Sequence, residues 1–255
     1  MTRAVPAELM RELSAITDLR FEYPVLSDGG QWARYTFYEH APYAAEYGAC
    51  QIISGGNKLC GDSYRFLTLE GGAAHMVLSD GMGSGGGAAV DSTMAAALIT
   101  RLLEAGLSYQ SALHLVNSAL SVKGGEESLA TVDGVRIDLY TGRMELYKAG
   151  AAPTVAVREG RAVEIDSTSL PAGILSGVSF ERSDLTLGLG DMVILLSDGA
   201  TTQGSGWIAK MAVEEKPRDL NDFCRKIAAT ARLRRDDGRE DDITVLCCRL
   251  VNNGA

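Results

Sequence analysis

The tetrapeptide Leu-Ser-Asp-Gly occurs twice in this chain, at residues 78–81 and 196–199. Each copy ends an apolar run, and such runs are typical of buried strands. An aspartate at the end of a buried strand is energetically costly unless its charge is paired or binds a cation. We therefore interpret Asp80 and Asp198 as two parts of one cation site, delivered to it by two separate strands.

A third acidic cluster, at residues 240–242, comes directly before the apolar run 243–248. Carboxylate and carbonyl oxygens are the ligands that Mg²⁺ and Mn²⁺ prefer, and the carbonyl of Gly81 is a candidate ligand beside Asp80. Two such ions about 4 Å apart would activate a water between them and neutralise a phosphoryl group. Asp-Gly is also a common turn dipeptide. Each copy alone is compatible with an ordinary turn, whereas the full set favours a metal site.

The glycine-rich run 81–87 allows a competing interpretation, because glycine loops before helices cradle phosphates. The run lacks the Gly-Lys-Ser/Thr ending of a P-loop, and it lacks the context of a dinucleotide-binding unit. We expect it to lead from the metal site into a helix. Nucleotide binding remains the weaker alternative.

Composition excludes several classes of function. The formal charge of −9 argues against non-specific binding of nucleic acid or of an anionic membrane surface. No apolar stretch is long enough for a transmembrane helix. The five cysteines form no Cys-x-x-Cys pair, so neither a disulfide framework nor a zinc site is indicated. We expect a cytoplasmic location, with the proviso that the parent of a fragment is free to carry a membrane anchor.

The order of elements predicts an α+β fold with two stacked antiparallel sheets flanked by helices. Helices are predicted at about 88–105, 108–122 and 218–234, and short strands with tight turns fill much of the rest. Helix 88–105 is apolar all round, which indicates burial or an interface. We divide the chain into an N-terminal extension, residues 1–40, with a short helix at 6–17 for which we consider a regulatory role, and one domain, residues 41–252.

Seven short motifs occur in a fixed order along the chain. They are Gly-Asp-Ser-Tyr at 61–64, Ser-Asp-Gly-Met-Gly-Ser-Gly at 79–85, Ser-Leu-Ala-Thr-Val-Asp at 128–133, Ala-Gly-Ala-Ala-Pro at 149–153, Leu-Pro-Ala-Gly-Ile at 170–174, Leu-Ser-Asp-Gly at 196–199 and Asp-Asp-Ile-Thr-Val at 241–245. As an ordered set, over residues 42–250, they resemble the phosphatase domain of the stage II sporulation protein E family. That family lies in the bacterial branch of the metal-dependent protein phosphatase 2C (PP2C) superfamily.

The resemblance implies a four-layer α-β-β-α sandwich with helix pairs outside the two sheets. It implies hydrolysis of phosphoserine or phosphothreonine on a protein by direct attack of a water that bridges two Mn²⁺ or Mg²⁺ ions. By motif match, Asp80 would bridge both ions and the Gly81 carbonyl would bind one. Asp198 and Asp241 would bind the other ion, and Asp62 would hold a metal or its water.

The resemblance leaves specific points open. The sequence does not decide between Asp241 and Asp242, although the family motif favours Asp241. The phosphate-binding arginine of the eukaryotic branch has no counterpart in the motif at 60–63.

Helices 88–122 would form a movable switch, and they are our predicted site for homodimerisation or a regulatory partner. The substrates of close relatives imply an anti-anti-sigma factor as the phosphoprotein, and with it sporulation and sigma-factor regulation.

A second class of function competes with the phosphatase. In this interpretation the chain is a PP2C-like regulatory interaction module, with little or no catalysis, whose apolar helices dock a partner. Acids at every matching motif position favour the enzyme.

Overall fold

A computed structural model describes residues 5–30, 32–54, 59–83, 86–124, 128–175, 180–235 and 241–254. The strands in these ranges are β1 (Val25–Asp28), β2 (Ala33–Thr36), β3 (Tyr43–Ile52), β4 (Asp62–Leu69), β5 (Ala73–Asp80), β6 (Val132–Asp138), β7 (Arg143–Ala149), β8 (Thr154–Arg158), β9 (Arg161–Ile165), β10 (Glu181–Thr186), β11 (Met192–Leu196) and β12 (Ile243–Asn252). The helices are α1 (Ala7–Thr17), α2 (Gly86–Glu104), α3 (Tyr109–Gly124), α4 (Asp198–Thr201), α5 (Gly206–Glu215) and α6 (Leu220–Arg234).

Ten of these strands form two sheets in which all neighbours are antiparallel. The first sheet has the order β10-β7-β6-β5-β4, and the second has the order β3-β12-β11-β8-β9. The predicted antiparallel architecture is therefore confirmed. Most neighbours in the first sheet are also neighbours in sequence, whereas β12 lies between β3 and β11 and so joins the two ends of the domain.

A hydrophobic core fills the space between the two sheets. The alternation of side chains along a strand places every second residue on this inner face. Leu78 of β5 and Leu146 of β7 face inward from the first sheet, and Val193, Leu195 and Leu246 face inward from the second. All five are buried, so the sheets pack face to face through apolar side chains.

Helices cover both outer faces. On the first sheet, α2 and α3 enclose a core that includes Ala95, Ala96 and Ile99. Alanines on the buried face of α2 let its backbone approach the sheet closely. On the second sheet, α5 and α6 pack with the one-turn α4. The structure therefore has the expected four layers, α-β-β-α.

The predicted helix and strand positions hold over most of the chain, with three additions, of which the first is the one-turn helix α4. Helix α5 was not predicted. Its N-cap residue, Ser205, makes no side-chain capping hydrogen bond, so the usual stabilisation of a helix start is missing. Strand β1 lies inside a stretch that the sequence indicates as irregular. Residues 55–58, which the sequence indicates as a turn, lie outside the described residues.

The N-terminal segment carries α1 and the β1–β2 hairpin. The predicted helix at 6–17 matches α1, and none of its residues is buried. The division into residues 1–40 and 41–252 stays a prediction. Over the part of the chain that the structure describes, no helix combines the length and the apolar character needed to cross a membrane.

Candidate metal centre

Strand pairing brings the first two acids together. In the antiparallel pair β4–β5, Asp62 lies directly opposite Asp80, and after burial the charge of Asp62 is the largest cause that raises the pKa of Asp80. Like charges opposite each other destabilise a sheet. These two residues therefore need a shared proton or a cation between them.

The two Leu-Ser-Asp-Gly copies have similar local structures. The leucines, Leu78 and Leu196, are buried in the core. The Ser79 hydroxyl donates to the Thr131 carbonyl at 2.7 Å. The Ser197 hydroxyl accepts from the Thr244 backbone N–H at 2.9 Å. Each serine ties its strand to a neighbouring segment and so fixes where the following aspartate emerges.

The glycine of each copy is required by a close backbone approach. A Cβ on Gly81 would lie 1.9 Å from the Ala88 carbonyl oxygen, and a Cβ on Gly199 would lie 1.9 Å from that of Asp242. No side chain fits at such distances. Gly81 thus connects the strand of Asp80 to the start of α2, and Gly199 connects the turn of Asp198 to the segment before β12.

Asp62 is also bonded to the opposite sheet. Its Oδ2 accepts a hydrogen bond from the Thr244 hydroxyl of β12 at 2.6 Å. The Gln51 side-chain amide of β3 donates to both the Asp62 carbonyl, at 3.2 Å, and the Thr244 hydroxyl, at 3.1 Å. These bonds hold the start of β4 against the second sheet, from which Asp198 and Asp241 come.

Asp241 and Asp242 have different environments. Asp242 is 8% exposed, and its carboxylate accepts the backbone N–H groups of Ser54 at 2.7 Å and Gly61 at 2.5 Å. It thereby anchors both ends of the β3–β4 connection. The side chain of Asp241 is 54% exposed. Burial and the charge of Asp198 raise the pKa of Asp241. Asp242 therefore makes a structural contact, whereas the assignment of Asp241 as the metal ligand stays a prediction.

The pKa values report how crowded the acids are. Burial, followed by the charges of Asp62, Asp198 and Asp241, raises the pKa of Asp80 to about 9. Burial also raises the pKa of Asp62 to about 6, and hydrogen bonds from Thr244 and Ser197 oppose that shift. The charges of the other three predicted acids therefore all raise the pKa of Asp80. The four acids lie close enough for their charges to interact, and their role as metal ligands stays a prediction.

Oxygen atoms from three residues surround Gly61. The position of a Cβ on Gly61 would be 3.5 Å from Asp242 Oδ2, 3.8 Å from Asp80 Oδ1 and 3.9 Å from the Gly81 carbonyl oxygen. The predicted Gly81 carbonyl thus lies on the same side as the Asp80 carboxylate. A set of oxygen donors with excess negative charge fits a hard divalent cation.

The acids form an open cluster. In the described part of the chain, no three acidic, histidine or cysteine side chains lie close enough together to hold a metal ion as they stand. The Arg235 guanidinium lies 3.9 Å from the Asp241 carboxylate and donates to the Asp241 carbonyl at 2.9 Å. Glu240 of the acidic cluster lies outside the described residues, as do positions 84 and 85 of the glycine run.

The family profile described as Stage II sporulation protein E (SpoIIE) matches residues 70–251. This match covers well over half of the chain. The chain belongs to the SpoIIE family. The match includes Asp80, Asp198 and Asp241, whereas Asp62 lies just before it.

Individual relatives agree with this SpoIIE assignment. Stage II sporulation protein E of Bacillus subtilis (strain 168) is 28% identical over 217 residues, which are 83% of this chain and 26% of the relative. The chain therefore spans about a quarter of that relative's length.

Two solved structures share the fold. One contains the PP2C phosphatase domain and a fragment of the regulatory domain of SpoIIE from Bacillus subtilis. It matches with a TM-score of 0.81 at 24% identity, over 99% of this chain and 77% of that one. The second is the phosphatase domain of the same protein without domain swapping, at a TM-score of 0.65 and 26% identity, over 85% of this chain and 96% of that one. The fold is thus that of a PP2C phosphatase domain.

Proposed function

We propose that the chain is a metal-dependent protein serine/threonine phosphatase. The observation that carries the proposal is the convergence of Asp62, Asp80, Asp198 and Asp241 from two sheets in a chain of the SpoIIE family. As ligands we assign Asp80 and the Gly81 carbonyl to one Mn²⁺ or Mg²⁺, Asp80, Asp198 and Asp241 to a second, and Asp62 to a metal or its water.

When bound, the two ions would supply positive charge to neutralise the phosphoryl group and would lower the pKa of the water that serves as the nucleophile. The protein supplies the positions of the ligands. Thr244 holds Asp62 by a hydrogen bond, and Asp242 holds Gly61 beside Asp80. Such fixed geometry is what preorganises a site for a developing charge.

The substrate class follows from the family. We infer a phosphorylated protein, with an anti-anti-sigma factor as the specific candidate, and a cytoplasmic site of action. We further infer that α2 and α3 receive a homodimer or regulatory partner. Val90, Leu115 and Val122 on these helices are exposed apolar residues. The Ala88 carbonyl lies against Gly81, so a shift of α2 would disturb the Gly81 ligand.

Mutation of the acids tests the proposal. Asp80→Asn and Asp198→Asn should each lower Mn²⁺-dependent hydrolysis of a phosphoserine peptide by more than about 100-fold, because metal ions contribute several kcal/mol to such transition states. EDTA should silence the wild type. Circular dichroism checks that both variants fold.

Asp184→Asn is a matched control, since Asp184 is an acid of β10 that pairs with Arg143 and Arg182. It should retain full turnover. Undiminished turnover in Asp80→Asn would refute the assignment. A folded wild type that neither binds Mn²⁺ nor hydrolyses para-nitrophenyl phosphate would instead favour the regulatory-module interpretation.

A further inference from the structure

A buried ion pair between β6 and β7 of the first sheet is bonded to the second sheet through Thr154 of β8. The Lys148 ammonium of β7 donates to Asp133 Oδ2 of β6 at 2.6 Å and to the Thr154 hydroxyl of β8 at 2.8 Å. A third bond, to the Ala152 carbonyl, measures 2.6 Å. The Lys148 and Asp133 side chains are 2% and 1% exposed. All three ammonium hydrogens are therefore used inside the protein.

Only one oxygen of Asp133 takes part in this network. Oδ2 accepts from Lys148 and from the Thr154 hydroxyl, the latter at 2.8 Å. Oδ1 is buried and has no hydrogen-bond partner among the described residues. An unpaired buried acceptor costs about 1–3 kcal/mol. A free oxygen on a side chain otherwise held this firmly indicates a further ligand.

Asp133 borders a cavity that reaches the acid cluster. This cavity has a volume of about 50 Å³, and its lining includes Asp133, Thr131, Asp80 and Asp198. Since Oδ2 is engaged by Lys148 and Thr154, Oδ1 is the Asp133 oxygen left to accept a hydrogen bond from a water in the cavity. A polar cavity larger than about 15 Å³ has room for an ordered water.

Stability does not account for the ion pair. The desolvation of two buried charges offsets much of their attraction, and apolar replacements of buried pairs are often neutral or stabilising. A Lys–Asp pair at the floor of the site, with one acceptor directed at the cavity, therefore points to a role in the site itself.

We propose that Asp133 is a positioning residue for the acid cluster. Water in the cavity donates one hydrogen to Asp133 Oδ1 and its other hydrogen to a carboxylate of the cluster, Asp80 or Asp198. Lys148 and Thr154 fix the Asp133 carboxylate so that this bridge has one geometry. The inference rests on the proposed function, because it assigns Asp133 to the support of the metal ligands. Outer partners of ligating groups typically contribute 10- to 100-fold to metal affinity.

Asp133→Asn tests this role at nearly constant volume. The amide oxygen can accept from Lys148 and Thr154, which leaves the NH₂ group facing the cavity, where a donor replaces an acceptor. Calorimetric titration with Mn²⁺ should then show a dissociation constant raised about 10-fold or more. The electron paramagnetic resonance spectrum of the bound Mn²⁺ should change as well, which a purely structural role would not produce.

Asp191→Asn is the matched control. Asp191 is also a buried aspartate with two backbone N–H partners, from Glu159 and Gly188. It precedes β11, whereas Asp198 follows it, so the two lie roughly 20 Å apart at about 3.3 Å per residue. The control should lose stability with no change in Mn²⁺ affinity.

A second variant keeps the test decisive if Asp133→Asn folds poorly. Asp133→Asn combined with Lys148→Met removes both charges and should fold, yet it should still bind Mn²⁺ about 10-fold more weakly. Wild-type affinity in either folded variant would overturn the positioning role while leaving the phosphatase proposal intact. Absence of Mn²⁺ binding and turnover in the wild type would overturn both.

Discussion

At the residue scale, the adjacent acids Asp241 and Asp242 differ in what each contacts, and two substitutions should separate them. Asp241→Asn should reduce Mn²⁺ affinity with little loss of stability, because its carboxylate is exposed beside Asp198. Asp242→Ala should lower the free energy of unfolding by about 3 kcal/mol, since the N–H groups of Ser54 and Gly61 lose a charged acceptor. Urea unfolding and calorimetry measure the two effects, and the reverse pattern would exchange their roles.

His75 is a buried titratable group outside the acid cluster. It is 2% exposed, and its ring lies 5.9 Å from that of Tyr109. Burial and the charge of Arg136 lower its pKa to about 4. The unfolded value is near 6.5. The folded state thus binds fewer protons, so this contribution to stability is complete above pH 6.5 and declines as the pH falls toward 4.

The corresponding prediction is that His75→Leu reduces acid sensitivity. Between pH 7.5 and 4.5, the wild type should lose about 2.5 kcal/mol more of its unfolding free energy than the variant does. Urea titrations of the metal-free protein at both pH values give this difference. His114→Gln, on the exposed side of α3, should behave like the wild type. Equal acid sensitivity in wild type and His75→Leu would contradict a buried neutral imidazole.

The acids were accessible to sequence reasoning, because a charged residue that ends an apolar run is unusual. The choice between Asp241 and Asp242 could not be made from the sequence, because loop geometry decides which carboxylate accepts hydrogen bonds from the Ser54 and Gly61 N–H groups. The sequence also did not indicate that Lys148 is buried in an ion pair. Its partner Asp133 is fifteen positions away, and only the β6–β7 register places the two side by side.

At the element scale, the contact between β5 and α2 leads to a test of the two motif glycines. Gly81→Ala should destabilise the fold by about 3 kcal/mol and abolish turnover, because the new Cβ would overlap the Ala88 carbonyl. Gly199→Ala should act similarly through the Asp242 carbonyl. Gly87→Ala, in the first turn of α2 with open space around it, should stay within about 1 kcal/mol of wild type, on the stabilising side. Equal tolerance at positions 81 and 87 would refute the close approach.

Elements with strong local signals were predictable, and those set by distant contacts were less so. The hairpins β4–β5, β6–β7 and β8–β9 have short turns that the sequence marks with glycine. Helix α5 has no capping side chain at Ser205; its burial of Ile208 and Ala212 against the second sheet stabilises it. Tertiary packing of this kind leaves little trace in a local pattern.

At the scale of the whole molecule, the N-terminal segment and the domain should be separable. Removal of residues 1–18 should shift the thermal midpoint by less than about 4 °C, the equivalent of about 1 kcal/mol, because α1 buries none of its residues. Metal-dependent turnover should persist. Differential scanning calorimetry measures the shift. A larger loss would make α1 an integral part of the domain and would contradict the boundary near residue 40.

The layered architecture could be inferred from alternating patterns and paired turns, whereas the strand order could not. Nothing local in β3 indicates that its partner is β12, about two hundred residues later. That pairing depends on the complementary inner faces of the whole second sheet, and the family resemblance implied the four layers without predicting it.

The late position of β12 in the chain has a consequence for biosynthesis. This strand lies between β3 and β11, and the residue that precedes it, Asp242, anchors the β3–β4 connection. While the ribosome is still adding these residues, the second sheet lacks an inner strand, and Asp62, Asp80 and Asp198 lack the fourth predicted acid, Asp241. We therefore expect a nascent polypeptide to lack the proposed phosphatase activity until nearly all of the domain has emerged, and truncation by a premature stop codon or by a protease near residue 240 should remove the proposed activity and the fold together.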